Sequence, residues 1–551
     1  MKIKNIKPNV RTLAATVPIS IIYYMLYGLI LYWGQAQFNI YNVSTYVGIA
    51  FFLMPIVLIV CALIIDGDVI EVFGTSCAIS IVFTIIFILL IAIVSSFGGN
   101  LYHSNEYYDY VNERVEKIDL DTAFPELIEG NDTSKLPLFG IEEAKKKSAA
   151  ELANTTALGS QTSIMPITFM SQNINDEFVY VGESRPNSVF RKDAANQYYI
   201  VNRNSGKTNS INAKNFKFAR GRYFSENVER RIKEYYANKD NGFIVDVDLE
   251  IDDSGNPYYV GTILKKTRFN GLPSVKGVVL LNPITGEINE YDIGKIPMWV
   301  DRVYPEDLLI SYIEIWGKYK KGYLNSIFKK EGVLVPSEYD FEVIYIDGEA
   351  YIWTGLQTKS SDNTSVNGIV IASLKTGKIY YYQNPGVSEY QAKTVAEGLV
   401  QEKDYKASSP VPLKCNGEKA LFMLMRDNGR NIVGYSLVSY EDYTKSAYAT
   451  DINELIAEFF GNVSSKPDIP LSNLESSEIT GVISAIATEV VDGRTVYNFL
   501  INGEIFVCNS KVNPKIVFAQ IGDEVTIKYT PSKEGTHIIE EFTFIKSNIK
   551  F

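Results

Sequence analysis

Histidine is nearly missing from this chain: 551 residues hold only His103 and His537. General acid–base catalysis and metal ligation draw first on imidazole, so its scarcity weighs against a hydrolase or a zinc enzyme. Cysteine is scarce as well. Cys61, Cys77, Cys415 and Cys508 form no C-x-x-C pair, and four thiols in so long a chain are not a disulfide framework. Buried single thiols are the ordinary reading, with a Cys415–Cys508 bridge left open. An excess of positive charge is also lacking. The net charge is −11, so the chain as a whole is not built to neutralise phosphates, and no nucleic-acid partner is expected. No cofactor is expected either.

Charge of either sign is absent from three apolar runs, residues 12–33, 46–65 and 77–96. Each has the length that a bilayer core demands of a helix. Three in succession, with no small-residue cleavage site after the first, read as a transmembrane domain over 1–96 and not as a signal peptide. Lys2, Lys4, Lys7 and Arg11 precede the first run, the 34–45 loop is uncharged, and the 66–76 loop carries only Asp66, Asp68 and Glu71. The excess of Lys and Arg on one flank predicts a cytoplasmic N-terminus, a multi-pass location in the cell membrane and an extracellular C-terminal domain. No Asp, Glu, Lys, Arg or His sits within a span, so nothing marks an ion path.

What is present beyond Ser96 is a chain rich in aromatic residues, with 37 Tyr and 28 Phe in the whole sequence. Residues 97–160 read as a juxtamembrane helical stalk. Tyr107, Val111, Val115 and Ile118 recur at helical spacing, and "EEAKKKSAAELANTTAL" forms a second helix. From residue 161 onward short β-branched and aromatic strands dominate. "SENVERRIKEYYANK" is expected to be a helix capped by Ser225, and "SEYQAKTVAEGLVQ" one capped by Ser388. Each precedes antiparallel strands, the arrangement of a helix covering one face of a meander. In that order each unit looks like a cystatin-like or PepSY-like module. "GVVLLNPITGEINEY" and "GIVIASLKTGKIYYY" repeat one ribbon, strand, Thr-Gly turn and strand. The expected fold class is therefore α+β: a three-helix anchor, a first module over 161–295, a second over 296–460, and a terminal unit over 477–551. Five strands in that last unit suggest a small OB-like barrel.

Two stretches invite a chemical reading. "EIDDSGNPYY" alternates acids like a calcium loop but lacks the ligand register and the closing Glu, so a β-turn is favoured. The segment 296–328 is dense in aromatics, with Leu308, Tyr312, Ile315 and Tyr319 at helical spacing after Pro305. Its ordinary reading is a core helix. The alternative is a groove for a peptide or wall polymer, with Trp299, Asp301, Tyr312, Trp316 and Asp362 as its ligand-binding residues.

From "EIDDSGNPYYV" through "SEYQAKTVAEGLVQEKDYKASSPVPL", with "GVVLLNPITGEINEYDIGKIPMWVDRVYPEDL", "WGKYKKGYLNSIF" and "YIWTGLQTKSSDNTSVNGIV" between, the chain resembles an uncharacterised family. Its members are multi-span membrane proteins of Gram-positive, Firmicute-type bacteria, variously called CvpA-like or Tat-signal proteins. The resemblance runs from Phe216 to about Tyr440, and Lys359-Ser360 departs from its usual Gly-rich loop. It implies a bacterial membrane protein and assigns no catalytic role to any residue.

These readings converge on a non-enzymatic, membrane-anchored scaffold or binding protein of the cell envelope. Its expected partners are the lipid bilayer and another envelope protein or peptide, with a homo-oligomer left open. The alternatives are a cell-wall enzyme or peptidase regulator, in which Asp301, Glu306, Asp362 and Glu397 would meet in one groove, and an envelope protein of a phage or mobile element.

Overall fold

Three long apolar helices open the chain: α1 (Val10–Trp33), α2 (Val43–Ile64) and α3 (Val69–Ser96). The computed structural model describes the chain except residues 1–9, 66–68, 118–122, 131, 155–161, 166–167, 187–196, 238, 338–342, 359–364, 462–476, 492–493, 510–511, 531–535 and 548–551. All three helices are long and apolar enough to cross a membrane. Their outward surfaces are Ile, Leu, Val and Phe, left exposed as lipid contact requires. Tyr27 donates its hydroxyl to the Gly48 carbonyl at 2.7 Å, and Ser80 donates to that of Met54 at 2.6 Å. Such polar contacts hold spans together where no hydrophobic drive between them exists. The third helix begins at Val69 and so takes Glu71 into its first turn, where an acid suits the helix dipole.

The chain divides into two units, residues 1–459, which include the three apolar helices, and residues 460–551. The first repeats one plan four times: a helix, then four antiparallel strands in chain order. In the first module the helix Ile141–Asn154 leads to Met170–Ile174, Glu177–Pro186, Gln197–Asn202 and Thr208–Asn212. In the second, Val228–Tyr236 leads to Gly242–Ile251, Pro257–Lys265, Ser274–Leu281 and Ile288–Asp292. In the third, Glu306–Tyr319 leads to Leu334–Pro336, Glu349–Thr358, Gly368–Ser373 and Ile379–Tyr382. In the fourth, Glu389–Gly398 leads to Val411–Cys415, Glu418–Arg426, Ile432–Ser439 and Ser446–Ala449. In three modules the opening strand is broken, and a second piece pairs with the same neighbour: Thr162–Ile164, Val343–Ile346 and Lys406–Ala407. In the second module that strand stays whole but bulges at Asp246.

The Thr-Gly ribbon is the last hairpin of a module, and its bonding pattern occurs three times. Asn282 N donates to Glu287 O and Gly286 N to Asn282 O, both at 2.9 Å. Ser373 with Lys378 and Gly377 repeats the pair, as does Asn202 with Lys207 and Gly206. The Asn282 side chain accepts from the amides of Ile284 and Thr285, as Ser373 Oγ does from Lys375 and Thr376. Gly286 (φ +81°) and Gly377 (φ +70°) stand in the left-handed region that the turn requires. The strands before these turns are continuous apolar runs because both faces are covered. Val278 and Leu280 face one core and Val279 and Leu281 another.

Several expectations need correction. Residues 97–160 are not a stalk. The helix α4 (Asn100–Asn112) buries Tyr107 and Val111, but Val115–Lys117 pairs in parallel with Ile379–Tyr382. Glu126–Ile128 likewise extends the sheet of the fourth module beside Val411–Cys415. The helix Ile141–Asn154 belongs to the first module, so residues 161–295 hold the strands of that module and the whole of the second, and residues 296–460 hold the helices and main strands of the third and fourth. The cap of Val228–Tyr236 is Asn227, whose side chain accepts from Arg230 N at 3.0 Å, and not Ser225. Ser388 caps as expected, accepting from Gln391 N at 3.0 Å. Cys415 and Cys508 are free thiols in different units.

Each module is bonded to the next. Gln172 pairs its amide with the main chain of Ile251 (2.6 and 3.0 Å). Thr262 Oγ1 donates to Val303 O at 3.1 Å. Glu389 accepts from Gly355 N at 2.7 Å and from the hydroxyls of Thr354 and Ser337. The fourth module returns to the first through the two-pronged pair of Arg426 with Glu143, at 3.0 Å for both prongs.

In the terminal unit, strands Ser477–Val491, Arg494–Ile501, Glu504–Asn509, Thr536–Lys546 and Glu524–Thr530 pair in that order, and the last pairs back onto the first. Phe499, Phe506, Ile527 and Phe542 fill its interior.

Candidate functional site

The alternation in "IVDVDLEI" gives strand Gly242–Ile251 an apolar side, Val247, Leu249 and Ile251, and an acidic one, Asp248 and Glu250. The acidic side meets the segment Val300–Arg302 and the first module, and there the unit concentrates its buried charge. Glu250 is 3% exposed. Its Oε2 accepts from the amide of Asp301 at 3.1 Å, and its Oε1 has no hydrogen-bond partner among the described residues. Burial, and next the Asp301 charge, push the Glu250 carboxyl up to about 8. Asp301 is buried too and accepts from Asn173 N at 2.7 Å; desolvation raises it to about 6. Arg302 supplies the counter-charge, donating from Nη1 to Glu306 at 2.7 Å and from Nη2 to Ser171 Oγ at 3.4 Å.

A second group adjoins through Asp248. Arg220 binds Asp248 at 2.9 Å and Glu229 at 3.1 Å. Its main-chain amide donates to the Tyr259 hydroxyl at 3.3 Å, and Tyr259 in turn donates to Glu183. Burial lifts Glu183 to about 7, with Arg220 pulling the other way. The arrangement thus holds two carboxyls, Glu183 and Glu250, whose affinity for a proton burial raises toward neutrality. Glu183, Asp248 and Glu250 are buried, whereas Glu229 and Glu306 reach the surface, and the arrangement bonds the second module to the first and to the segment that leads into the third. Among the described residues no group of three or more His, Cys, Asp or Glu is placed to hold a metal ion.

Of the five residues expected in a groove, four are described, and they fall in different surroundings. Tyr312 is fully buried and donates its hydroxyl to Pro273 O at 2.8 Å. Asp301 is inside the charged network. Trp316 is half-buried, bonded to Asn112 Oδ1 at 3.0 Å and packed on Tyr381. Trp299, also half-buried, lies 5.2 Å from the Tyr258 ring. Asp362 lies outside the described residues. Glu306 flanks Arg302, whereas Glu397 is bonded to Lys406 and Ala407 in the fourth module. Glu183, Arg220 and Arg302 give no sign of themselves in the sequence, because each is a lone charge in an otherwise ordinary stretch. "DVDLE" does carry a signal: acids alternating inside a strand whose other side is apolar.

Asp252 accepts from the amides of Ser254 and Asn256 at 2.9 and 2.7 Å, so the calcium-like stretch is a turn. A cavity of about 300 Å³ lies elsewhere, between the end of α1 and the second module, and is lined by Tyr32, Gln35, Phe38, Arg230, Lys233 and Tyr236.

No family model matches this chain, and no curated protein matches it by sequence. Among solved structures, a GH43 β-1,3-galactosidase with galactodeoxynojirimycin aligns over 68% of this chain and 92% of its own, at 11% identity and a TM-score of 0.20. The cobalt-substituted Synechocystis apocarotenoid oxygenase aligns over 52% of this chain and 48% of its own, at 9% identity and a TM-score of 0.13. Scores so low carry no argument about fold or chemistry. The fold itself defines the class: a membrane-anchored protein with three apolar N-terminal helices and a β-rich body.

Proposed function

We propose that this chain is a non-catalytic scaffold or binding protein of the bacterial envelope, with its N-terminus in the cytoplasm and its body outside. The basic N-terminal flank and the loops free of Lys and Arg support that orientation. A helix followed by four antiparallel strands supports a PepSY-like or cystatin-like description of one module, and the stretches between Phe216 and Tyr440 support kinship with the multi-span Firmicute-type family. The terminal unit reads as an OB-like barrel: its third and fifth strands pair in parallel, and a short helix, Pro514–Phe518, separates the third strand from the fourth.

One observation carries the binding role. Val482, Val517, Phe518, Ile521 and Ile545 are 47–63% exposed on this barrel. Gly522 N donates to Ile483 O, and Val482 pairs with Glu524, which pairs with Lys546, so Val482, Ile521 and Ile545 share one end. Exposed apolar groups gathered in this way mark protein contacts. The charged network supports the non-catalytic reading, because it is spent on joining modules. A photocrosslinking side chain at Ile521 in intact membranes is expected to give one discrete protein adduct, lost when Val482 is changed to Asp. An adduct of twice the chain's mass would identify a second copy as the partner, and no adduct at all would overturn the reading. Protease added to wall-stripped cells is expected to digest the body, and digestion only after lysis would overturn the orientation.

A further inference from the structure

The helix Glu306–Tyr319 is followed by Lys320-Lys321-Gly322, a one-turn helix Tyr323–Ile327, and Phe328-Lys329-Lys330. Leu324, Ile327 and Phe328 are 65%, 45% and 76% exposed. Three large apolar side chains facing solvent between two lysine pairs are an unfavourable surface for water alone. Their position supplies the reason. Tyr323 N donates to Ser104 Oγ at 3.2 Å, and Asn100 Nδ2 donates to the Tyr319 hydroxyl at 3.2 Å. Asn100 and Ser104 lie in the first turns of α4, which starts four residues after α3 ends. Even with the four steps from Ser96 to Asn100 fully extended, Ser104 is within roughly 20 Å of the last residue of the third span. That neighbourhood already has the character of a bilayer interface. Phe97 stacks on Tyr102 at 5.1 Å, and both are more than half exposed, as aromatic belts are.

We propose that residues 320–330 form a lipid-docking element. Leu324, Ile327 and Phe328 enter the interface of the same bilayer that α1–α3 cross, and Lys320, Lys321, Lys329 and Lys330 bind anionic phospholipid headgroups there. Lysines held at a charged membrane surface are attracted to it within a Debye length, and apolar side chains beside them add burial. Lys321 pairs with the exposed Glu331, a contact weak enough to exchange for phosphate. The consequence is mechanical. The loop after α1 fixes one side of the body to the spans, and this element fixes another, so the body is held to the membrane surface at two places.

The test uses the full-length chain in vesicles of phosphatidylcholine alone or mixed with phosphatidylglycerol. A photocrosslinking residue replaces Phe328 in one preparation and Tyr443, an exposed site in the fourth module, in another. The expected result is severalfold more lipid adduct from position 328 than from 443. That excess should grow with phosphatidylglycerol and shrink in high salt or when all four lysines are Gln. Equal lipid adduct at the two positions, or a protein adduct at 328, overturns the proposal. Adduct at 328 that ignores phosphatidylglycerol overturns its headgroup half.

Discussion

Gln37 and Glu250 act on the same strand, Gly242–Ile251, from opposite surroundings. Gln37 comes from the loop after α1, accepts from Ile244 N and donates to Ile244 O, both at 2.7 Å. Gln35 and Asn39 bond the same module at Asn227 and Asn241, and Arg230 donates to Tyr32 O at 2.7 Å. Apart from Arg230 and Lys233 this junction is made of neutral amides. At the other end of the strand Glu250 sits among Asp301, Arg302 and Asp248. Amides satisfy main-chain groups at any pH. Buried charges must offset a desolvation penalty and change state with pH. The membrane junction is therefore built to be indifferent to pH and the interior junction to respond to it.

The largest effect is expected from Arg302→Leu. Its charge balances Glu306, Asp248 and other buried acids around it, and removing one partner of a buried network leaves the rest uncompensated. A loss of about 3–5 kcal/mol is expected, read as a lowered thermal midpoint of the detergent-solubilised protein. A midpoint within experimental scatter of the parent would show that the network is already neutral. The next effect is a pH profile. Glu250 takes up its proton more readily folded than unfolded, so the folded state binds more protons between about 4.5 and about 8. Stability should then fall as pH rises through that window and level off above it. Glu183, raised to about 7, and Asp301, to about 6, act in the same direction over narrower windows. Glu250→Gln should flatten the profile and stabilise the protein at pH 8 relative to the parent. Parallel profiles for parent and variant would refute the assignment.

Gln37→Ala sharpens the contrast from the other side. It removes both bonds to Ile244 and leaves a main-chain amide and carbonyl unpaired. The expected cost is about 1–3 kcal/mol, with the same value at pH 5 and pH 8. A pH-dependent loss would mean that the two junctions are coupled and the comparison fails.

What is legible in the sequence follows the same divide. The spans declare themselves because twenty uncharged residues have few other uses. The loop that docks them does not, since Gln35, Gln37 and Asn39 look like any polar linker. Two modules announce themselves through Thr285-Gly286 and Thr376-Gly377. The first hides behind Ser205-Gly206 and a helix that reads as a stalk, and the fourth closes its last hairpin over the longer stretch Glu441–Lys445. Asp301 stands out as a groove residue and lies instead in the interior network, because nothing in its neighbours shows which way the chain turns after the last strand of the second module. Trp299, Tyr312 and Trp316 pack as a core helix and its lead-in ordinarily do. Arg302 stands beside Asp301 in the chain and draws no notice there, although it supplies the positive charge that keeps those acids together.

The smallest expected effect lies away from both junctions, in the repeated turn. Gly286 has φ +81°, and a Cβ there would sit 2.8 Å from the edge of the half-buried Phe218 ring. Gly377 has φ +70°, and a Cβ there would press closer still on the buried ring of Tyr304. Backbone strain is common to both and is worth about 1 kcal/mol for Ala in the left-handed region. What differs is whether the neighbour can move. Phe218 has room to shift, so Gly286→Ala should cost little beyond the strain. Tyr304 is packed beneath the helix Glu306–Tyr319, so Gly377→Ala should cost measurably more. Chemical unfolding of the two variants at one pH decides the matter. Equal losses would mean that the turn's own conformation sets the cost in every module, and a larger loss at Gly286 would mean that Tyr304 yields more easily than its burial in the third module implies.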